Sequence, residues 1–244
     1  MIMLRSLAFN CLFFGYTALT ALWLAPRLMA RQVDIKPQVK RWAGGVLWLL
    51  EHVAGITYAV RGAEHIPQGG ALIASKHQSA WDTMMFHLFV SQSIYVTKQE
   101  VTRIPLYGAV ARGIGSISVD RRGGAKALKG LIRDCRAALE NGHQVIIFPE
   151  GTRVAPGARL PYQPGVAALY SRLGCPVTPV ALNSGLFWGR RDFFKRPGRI
   201  IVEFLPAIEP GLDRKRFLAE LEQRIEAATA ALIAEATQGR EDRR

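Results

Sequence analysis

"ALIASKHQSAWDTMMFHLFV", residues 71–90, decides the fold. Ala71–Ser75 is an apolar run with the length of a buried strand, and the stretch from Asp82 has the apolar density of a helix that begins at that aspartate. Only the residues from Lys76 to Trp81 separate them, so the chain is read as turning from strand straight into helix. The same grammar repeats outward. "TYAVRG" (57–62), "SIYVTK" (93–98), "SISVD" (116–120), "QVIIFP" (144–149), "PVTPVAL" (176–182) and "RIIVEFL" (199–205) are brief, rich in β-branched residues and bounded by Gly or Pro. One helix is predicted from about Gly124 to Glu140, with Leu128, Leu131, Ile132, Cys135 and Leu139 on one face and Asn141-Gly142 as its stop. Another is predicted from its cap, Asp213, with Phe217, Leu221, Ile225, Ala228 and Leu232 facing the core. Strands alternating with helices predict an α/β sheet covered on both faces, with its site where strand ends meet loops.

The amino terminus reads differently. Between Arg5 and Arg27 lie 21 residues without a charge, close to the roughly 20 that a helix needs to cross a bilayer. A signal peptide fits poorly, since Arg5 alone makes a thin basic leader and no small-residue cleavage site follows. Arg27, Arg31, Lys36, Lys40 and Arg41 form a basic connector to a second helix, which carries Trp42, Val46, Leu49, Leu50 and Val53 at helical spacing. Two arrangements remain open, a membrane-seated hairpin or one span with one interfacial helix. If the first helix spans, the basic side faces the cytoplasm. The expected organisation is membrane-associated helices over 1–55, a single globular domain over 56–238 and a disordered tail over 239–244, "GREDRR" being read as too polar to pack.

A net charge of +13 in 244 residues, with a pI near 10.2, implies anionic partners. The basic residues are dispersed, no recognition motif is visible and an apolar leader is out of place in a nucleic-acid binder, so nucleic acid is excluded as partner. Cys11, Cys135 and Cys175 have neither metal-ligand spacing nor an even count, and read as reduced packing residues. No carboxylate or His/Cys cluster has ligand spacing, so no metal is expected.

The chemistry gathers at His77 and Asp82. A carboxylate bonded to one imidazole nitrogen fixes the tautomer and raises basicity, leaving the other nitrogen to take a proton from a hydroxyl or thiol. On a continuous helix five residues would turn the two side chains apart, so contact requires the turn between strand and helix. Ser75 and Ser79 lie nearby, yet neither sits in a Gly-x-Ser-x-Gly elbow. The bland reading has Asp82 as a helix cap and His77 as a loop residue. "QVIIFPEGTR" is an apolar strand running into a turn that presents Arg153, whose guanidinium is suited to clasp a phosphate with two parallel bonds. Lys98 likewise ends a strand.

"SKHQSAWDT", "KQEVTRIPLYG" (98–108), "GSISVDR" (115–121), "FPEGTR" (148–153) and "VTPVAL" (177–182) occur in the order and spacing of the glycerolipid acyltransferase family. Over about residues 60–205 the sequence resembles the bacterial 1-acylglycerol-3-phosphate acyltransferases of that family. The resemblance implies a mixed α/β sheet flanked by helices, and a reaction that moves a fatty acyl group from an acyl thioester to the 2-hydroxyl of lysophosphatidic acid, giving phosphatidic acid. His77 then matches the catalytic base and Asp82 its orienting carboxylate, while Lys98, Glu150, Gly151, Thr152 and Arg153 match the residues that bind the glycerol phosphate. Gly108, Gly115, Asp120 and Arg121 match a second block, whose plain reading is turn glycines and a surface ion pair. No cofactor is implied beyond the co-substrate, an acyl carrier protein or coenzyme A thioester. The implied location is the inner, cytoplasmic membrane, with the catalytic domain on the cytoplasmic face and membrane lipids as partners. Acylation of another lyso-lipid and a non-catalytic membrane-binding module stand as the rival readings.

Overall fold

The computed structural model describes residues 1–29, 34–104 and 107–241. Each of the seven runs predicted to be strands is one: β1 (Ile56–Arg61), β2 (Ala71–Ser75), β3 (Ser93–Lys98), β4 (Ile117–Val119), β5 (Gln144–Ile147), β6 (Val177–Leu182) and β7 (Gly198–Phe204). They form one mixed sheet in the order β1-β7-β6-β2-β5-β3-β4. The five strands from β6 to β4 are parallel, and β7 turns antiparallel to β6 with β1 parallel beside it.

Period-two alternation sorts the central strands between two cores. Ile73 and Ile146 face a cluster with Met84, Met85 and Phe86 of α3 (Asp82–Phe89) and Val46 and Leu47 of α2 (Lys36–Leu49). Leu72, Ala74, Val145 and Ile147 face the opposite cluster. There they meet Leu131 and Cys135 of α6 (Gly124–Glu140), Val166 and Leu169 of α7 (Pro164–Leu173), and Phe217, Leu221 and Ile225 of α8 (Arg214–Glu241). Every residue of β5 and β6 is therefore buried, as expected for strands with helices on both faces. Two short helices, α4 (Gln99–Thr102) and α5 (Tyr107–Gly113), lie between β3 and β4.

Asp213 caps α8 as expected, its Oδ1 accepting from the backbone N–H groups of Lys215 and Arg216 at 2.9 and 3.0 Å. The helix continues to Glu241, so residues 239–241, expected to begin a disordered tail, are helical; residues 242–244 lie outside those described. Helices tolerate a polar sequence of this kind when the preceding turns are anchored, as Leu232 anchors these.

The first apolar segment forms α1 (Ile2–Met29), and its Ile2–Pro26 part is long and apolar enough to cross a membrane. Its contacts with the rest of the chain run along its length. Arg5 Nε donates to Val53 O at 2.7 Å, Thr17 Oγ1 accepts from Trp42 Nε1 at 3.2 Å, and Leu24 packs with Ile35, Val39 and Ile114. The other face leaves Leu4, Leu7, Phe14, Leu19 and Leu22 exposed. α2 and the π-helical turn after it (Leu50–Ala54) pair with α1 and also belong to the domain core, through Val46, Leu47 and Leu50. Arg31 of the basic connector lies outside the described residues. Cys135 is buried and Cys175 half-buried, whereas Cys11 is exposed on α1, contrary to its reading as a packing residue: it falls on the helix face turned away from the domain.

Candidate active site

Five adjacent parallel strands, β6, β2, β5, β3 and β4, deliver their carboxyl ends to one edge of the sheet. Ser184, His77, the Glu150–Arg153 turn, Lys98 and Asp120-Arg121 follow those ends in that order. Residues over 100 positions apart are neighbours for this reason alone, and the crevice outside such strand ends is where open α/β sheets bind ligands.

His77 Nδ1 lies 2.9 Å from Asp82 Oδ2. The turn that joins them is held by the same oxygen, which also accepts from the backbone N–H groups of Gln78 (2.7 Å) and Ser79 (2.8 Å). The other carboxylate oxygen accepts from Ser184 Oγ at 2.6 Å. Asp82 is fully buried, and four donors compensate its charge. It therefore binds back onto the turn, and none of these four donors is a backbone N–H of α3. With Nδ1 engaged as a donor, Nε2 is the basic nitrogen of the imidazole, and the ring lines the cleft, stacked on Phe148 at 4.0 Å between centroids.

Glu150 sits behind the histidine. Its Oε2 accepts from the backbone N–H of His77 at 2.9 Å, and its Oε1 pairs with Lys76 Nζ at 2.6 Å. Lys76 also donates to Glu226 Oε1 of α8 at 2.6 Å, and Tyr162 Oη donates to the same oxygen at 2.9 Å. All four side chains are buried. Burial pushes the Glu150 carboxyl upward, with Lys76 pulling the other way. The expected substrate ligand Glu150 is thus absent from the cleft wall; its carboxylate is consumed in fixing the backbone of the histidine and neutralising Lys76.

Lys98, Gly151, Thr152 and Arg153 do line the cleft, a cavity of about 810 Å³, together with Tyr107, Arg121 and Arg190. Gly151 adopts φ +70°, and a Cβ there would strike the Arg121 guanidinium, which donates to Gly151 O. Arg190 Nη1 reaches Arg153 O at 3.3 Å. Lys98 is held below the usual lysine range, first by burial and then by Arg121, Arg190 and Arg153, against the opposing pull of Glu100. Four cations close enough to repel one another make this end of the cleft a receptor for a multiply charged anion. The rest is mostly apolar, walled by Met84 and by Val101, Ile104, Val110 and Ile114 of the α4–α5 region, so Met84 serves both core and cleft. His87 also lies on this wall; its Nδ1 is 2.8 Å from Ser93 Oγ, and burial holds its pKa down at about 4.

Lys76, Tyr162, Ser184 and Glu226 went unread in the sequence. A lysine at the end of the apolar run "ALIASK" and a glutamate flanking the apolar stripe of α8 were signals of buried charge, though nothing local says that they pair. Trp188 packs edge-on against Phe9 and Phe13 of α1 at 5.4 and 5.5 Å and does not line the cleft. Among the described residues, no group of three or more His, Cys, Asp or Glu side chains is arranged to hold a metal ion.

The sequence model of the Acyltransferase family matches residues 57–183. The 1-acyl-sn-glycerol-3-phosphate acyltransferase of Pseudomonas aeruginosa is 38% identical over 197 residues, which are 81% of this chain and 77% of that protein. The protein of the same name from Limnanthes alba is 32% identical over 68% of this chain and 58% of its own length. The crystal structure of the 1-acyl-sn-glycerophosphate acyltransferase of Thermotoga maritima has the same fold, with a TM-score of 0.79 covering 96% of this chain and 98% of that one at 19% identity.

Proposed function

Since this chain belongs to the Acyltransferase family, and is an acyltransferase, we propose that it transfers a fatty acyl group from a thioester to the 2-hydroxyl of lysophosphatidic acid, yielding phosphatidic acid. The observation that carries this reading is the His77–Asp82 pair, 2.9 Å apart, opening on a cleft with a cationic end and an apolar wall. His77 Nε2 takes the proton of the acceptor hydroxyl as its oxygen attacks the thioester carbonyl carbon. The tetrahedral intermediate then collapses with cleavage of the C–S bond, and the imidazolium returns the proton to the thiolate. The thioester is already activated, so base assistance goes to the weak partner, the alcohol, and no acyl-enzyme is needed. Asp82 stabilises the imidazolium formed in between. Arg153 and Lys98 hold the phosphate monoester, with Gly151 and Thr152 shaping the turn behind it, and Glu150 positions His77 through its backbone.

The acceptor and the product reside in the bilayer. α1 touches the domain near both ends, through Ser6, Phe9 and Asn10 and again through Leu24, and lies on α2 between them; these contacts, about 27 Å apart along the helix, favour a helix lying in one leaflet with its apolar face to lipid over one that spans. A basic surface then suits the anionic cytoplasmic face of the inner membrane, and the acidic acyl carrier protein or coenzyme A as donor carrier. Purified protein offered labelled lysophosphatidic acid, lysophosphatidylcholine and a lyso-aminolipid with each thioester tests the reading. Acylation of lysophosphatidic acid far above the others supports it; a preference for an acceptor without a phosphate monoester refutes it.

A further inference from the structure

The loop between β6 and β7 exposes two aromatic rings that the acyl-transfer site does not use. Phe193 and Phe194 are 45% and 40% exposed, and their rings meet edge-on at 5.5 Å. Adjacent exposed phenylalanines cost solubility unless something covers them, and this loop is built to hold them out. Asp192 Oδ1 accepts from the backbone N–H of Phe194 at 2.9 Å, and its carboxylate pairs with Arg196. Beneath them Lys195 is 2% exposed, and its Nζ donates to the carbonyls of Asp192 and Phe193 at 2.9 and 3.0 Å. The same ammonium lies 5.9 and 5.3 Å from the ring centroids of Phe9 and Trp188. Arg191, at φ +57°, completes a turn whose geometry is fixed from several sides.

This loop is fastened to α1. Ser6 Oγ accepts from the backbone N–H of Lys195 at 2.9 Å, and Asn10 Nδ2 donates to Phe193 O at 3.1 Å. Asn10 lies three residues after Leu7 and four before Phe14, both exposed, and such spacing places all three on one side of the helix. The phenyl pair therefore continues the exposed apolar face of α1. Arg190 and Arg191 are exposed in the same loop, with Asp192 as the one acid between 189 and 199. Arg190 ties the other end of the loop to the cleft through Arg153 O.

We propose that residues 189–197 form a second membrane-docking element, in which Phe193 and Phe194 enter an anionic bilayer beside α1 and fix the cleft mouth at headgroup depth. The proposal rests on the reading of α1 as membrane-seated. Continuity with α1 and the surrounding arginines select a lipid surface as the occupant.

The test places a spin label at Phe194→Cys in the full chain carrying Cys11→Ser, with vesicles of phosphatidylethanolamine and phosphatidylglycerol, and compares accessibility to oxygen and to a water-soluble nickel chelate. A second protein, labelled at Leu12→Cys, reports on α1. Gain of oxygen and loss of nickel access at both positions is the expected result. Entry at 12 with an unchanged signal at 194 overturns the proposal alone, and no entry at either overturns the reading of α1 as well. Shielding at 194 by acyl carrier protein without vesicles assigns the surface to a protein and overturns it too. In the double variant Phe193→Ser/Phe194→Ser, the vesicle concentration that gives half-maximal rate rises about tenfold while turnover of a short-chain, monomeric acceptor is unchanged. Equal loss with both acceptors would mean that the rings serve only the fold.

Discussion

Replacing Asp82 by Asn removes one charge and little else. Asp82 Oδ2 accepts from two backbone N–H groups and faces His77 Nδ1, while Oδ1 accepts from Ser184 Oγ. An amide oxygen in the Oδ2 position keeps the first three contacts, and the amide nitrogen finds an acceptor in the Ser184 hydroxyl, which can rotate. What disappears is attraction to the imidazolium, present only while His77 holds the proton. Two unit charges about 4 Å apart interact by about 4 kcal/mol at an effective dielectric of about 20, which corresponds to roughly 10³ in rate. Asp82→Asn is thus predicted to lower kcat and kcat/KM together by about 10³, with KM for the acceptor nearly unchanged because Asp82 does not line the cleft. Steady-state acyl transfer, with thermal melting to check folding, measures both. A folded Asp82→Asn protein that keeps more than a tenth of the native kcat would refute the assignment of His77 as the base acting through an imidazolium.

Arg153→Ala is expected to raise KM for lysophosphatidic acid by about 10- to 100-fold, the worth of a charge-assisted contact, with Arg153→Lys restoring only part; acceptor titrations measure it. Glu226→Ala leaves Lys76 with one carboxylate instead of two in a buried site, and is predicted to cost about 3 kcal/mol, seen as a melting temperature lower by roughly 10 °C. His87 is buried as the neutral ring, its pKa held at about 4 against 6.5 when unfolded. The unfolded chain therefore binds the proton first, so stability is unaffected above pH 6.5 and falls by about 3 kcal/mol as pH drops to 4. Denaturant melts across this window in the native protein and in His87→Asn, which lacks this contribution to the slope, check it.

The strands were legible because burial on both faces demands short runs of β-branched residues, and "ALIAS" or "QVII" admits little else. The helix at 124–140 was legible for the complementary reason, an apolar stripe with charge on the opposite side. His77, Lys98 and Arg153 declared themselves by standing at strand ends. Strand order was illegible: it is topology that sets β2 beside β5 and β6, and so lets Ser184 reach Asp82 and Glu226 reach Lys76, partners 102 and 150 residues apart. Glu150 was legible as a member of its turn but its direction was not, since the buried Lys76 and the backbone N–H of His77 that draw it inward lie more than 70 residues away. The leader disclosed its apolarity without disclosing that one face rests on the domain, because an exposed leucine facing lipid and a buried one look alike in sequence.

The most direct measurement of the central claim is acyl transfer to labelled lysophosphatidic acid by the purified protein and by His77→Ala, each with acyl carrier protein and coenzyme A thioesters, alongside a search for acylated protein when the acceptor is withheld. Direct transfer with His77 as the base predicts phosphatidic acid from the native protein with at least one donor, its loss in a variant that melts normally, and no covalent acyl-enzyme. Phosphatidic acid formed at an undiminished rate by His77→Ala, or a competent acyl-enzyme, would contradict it.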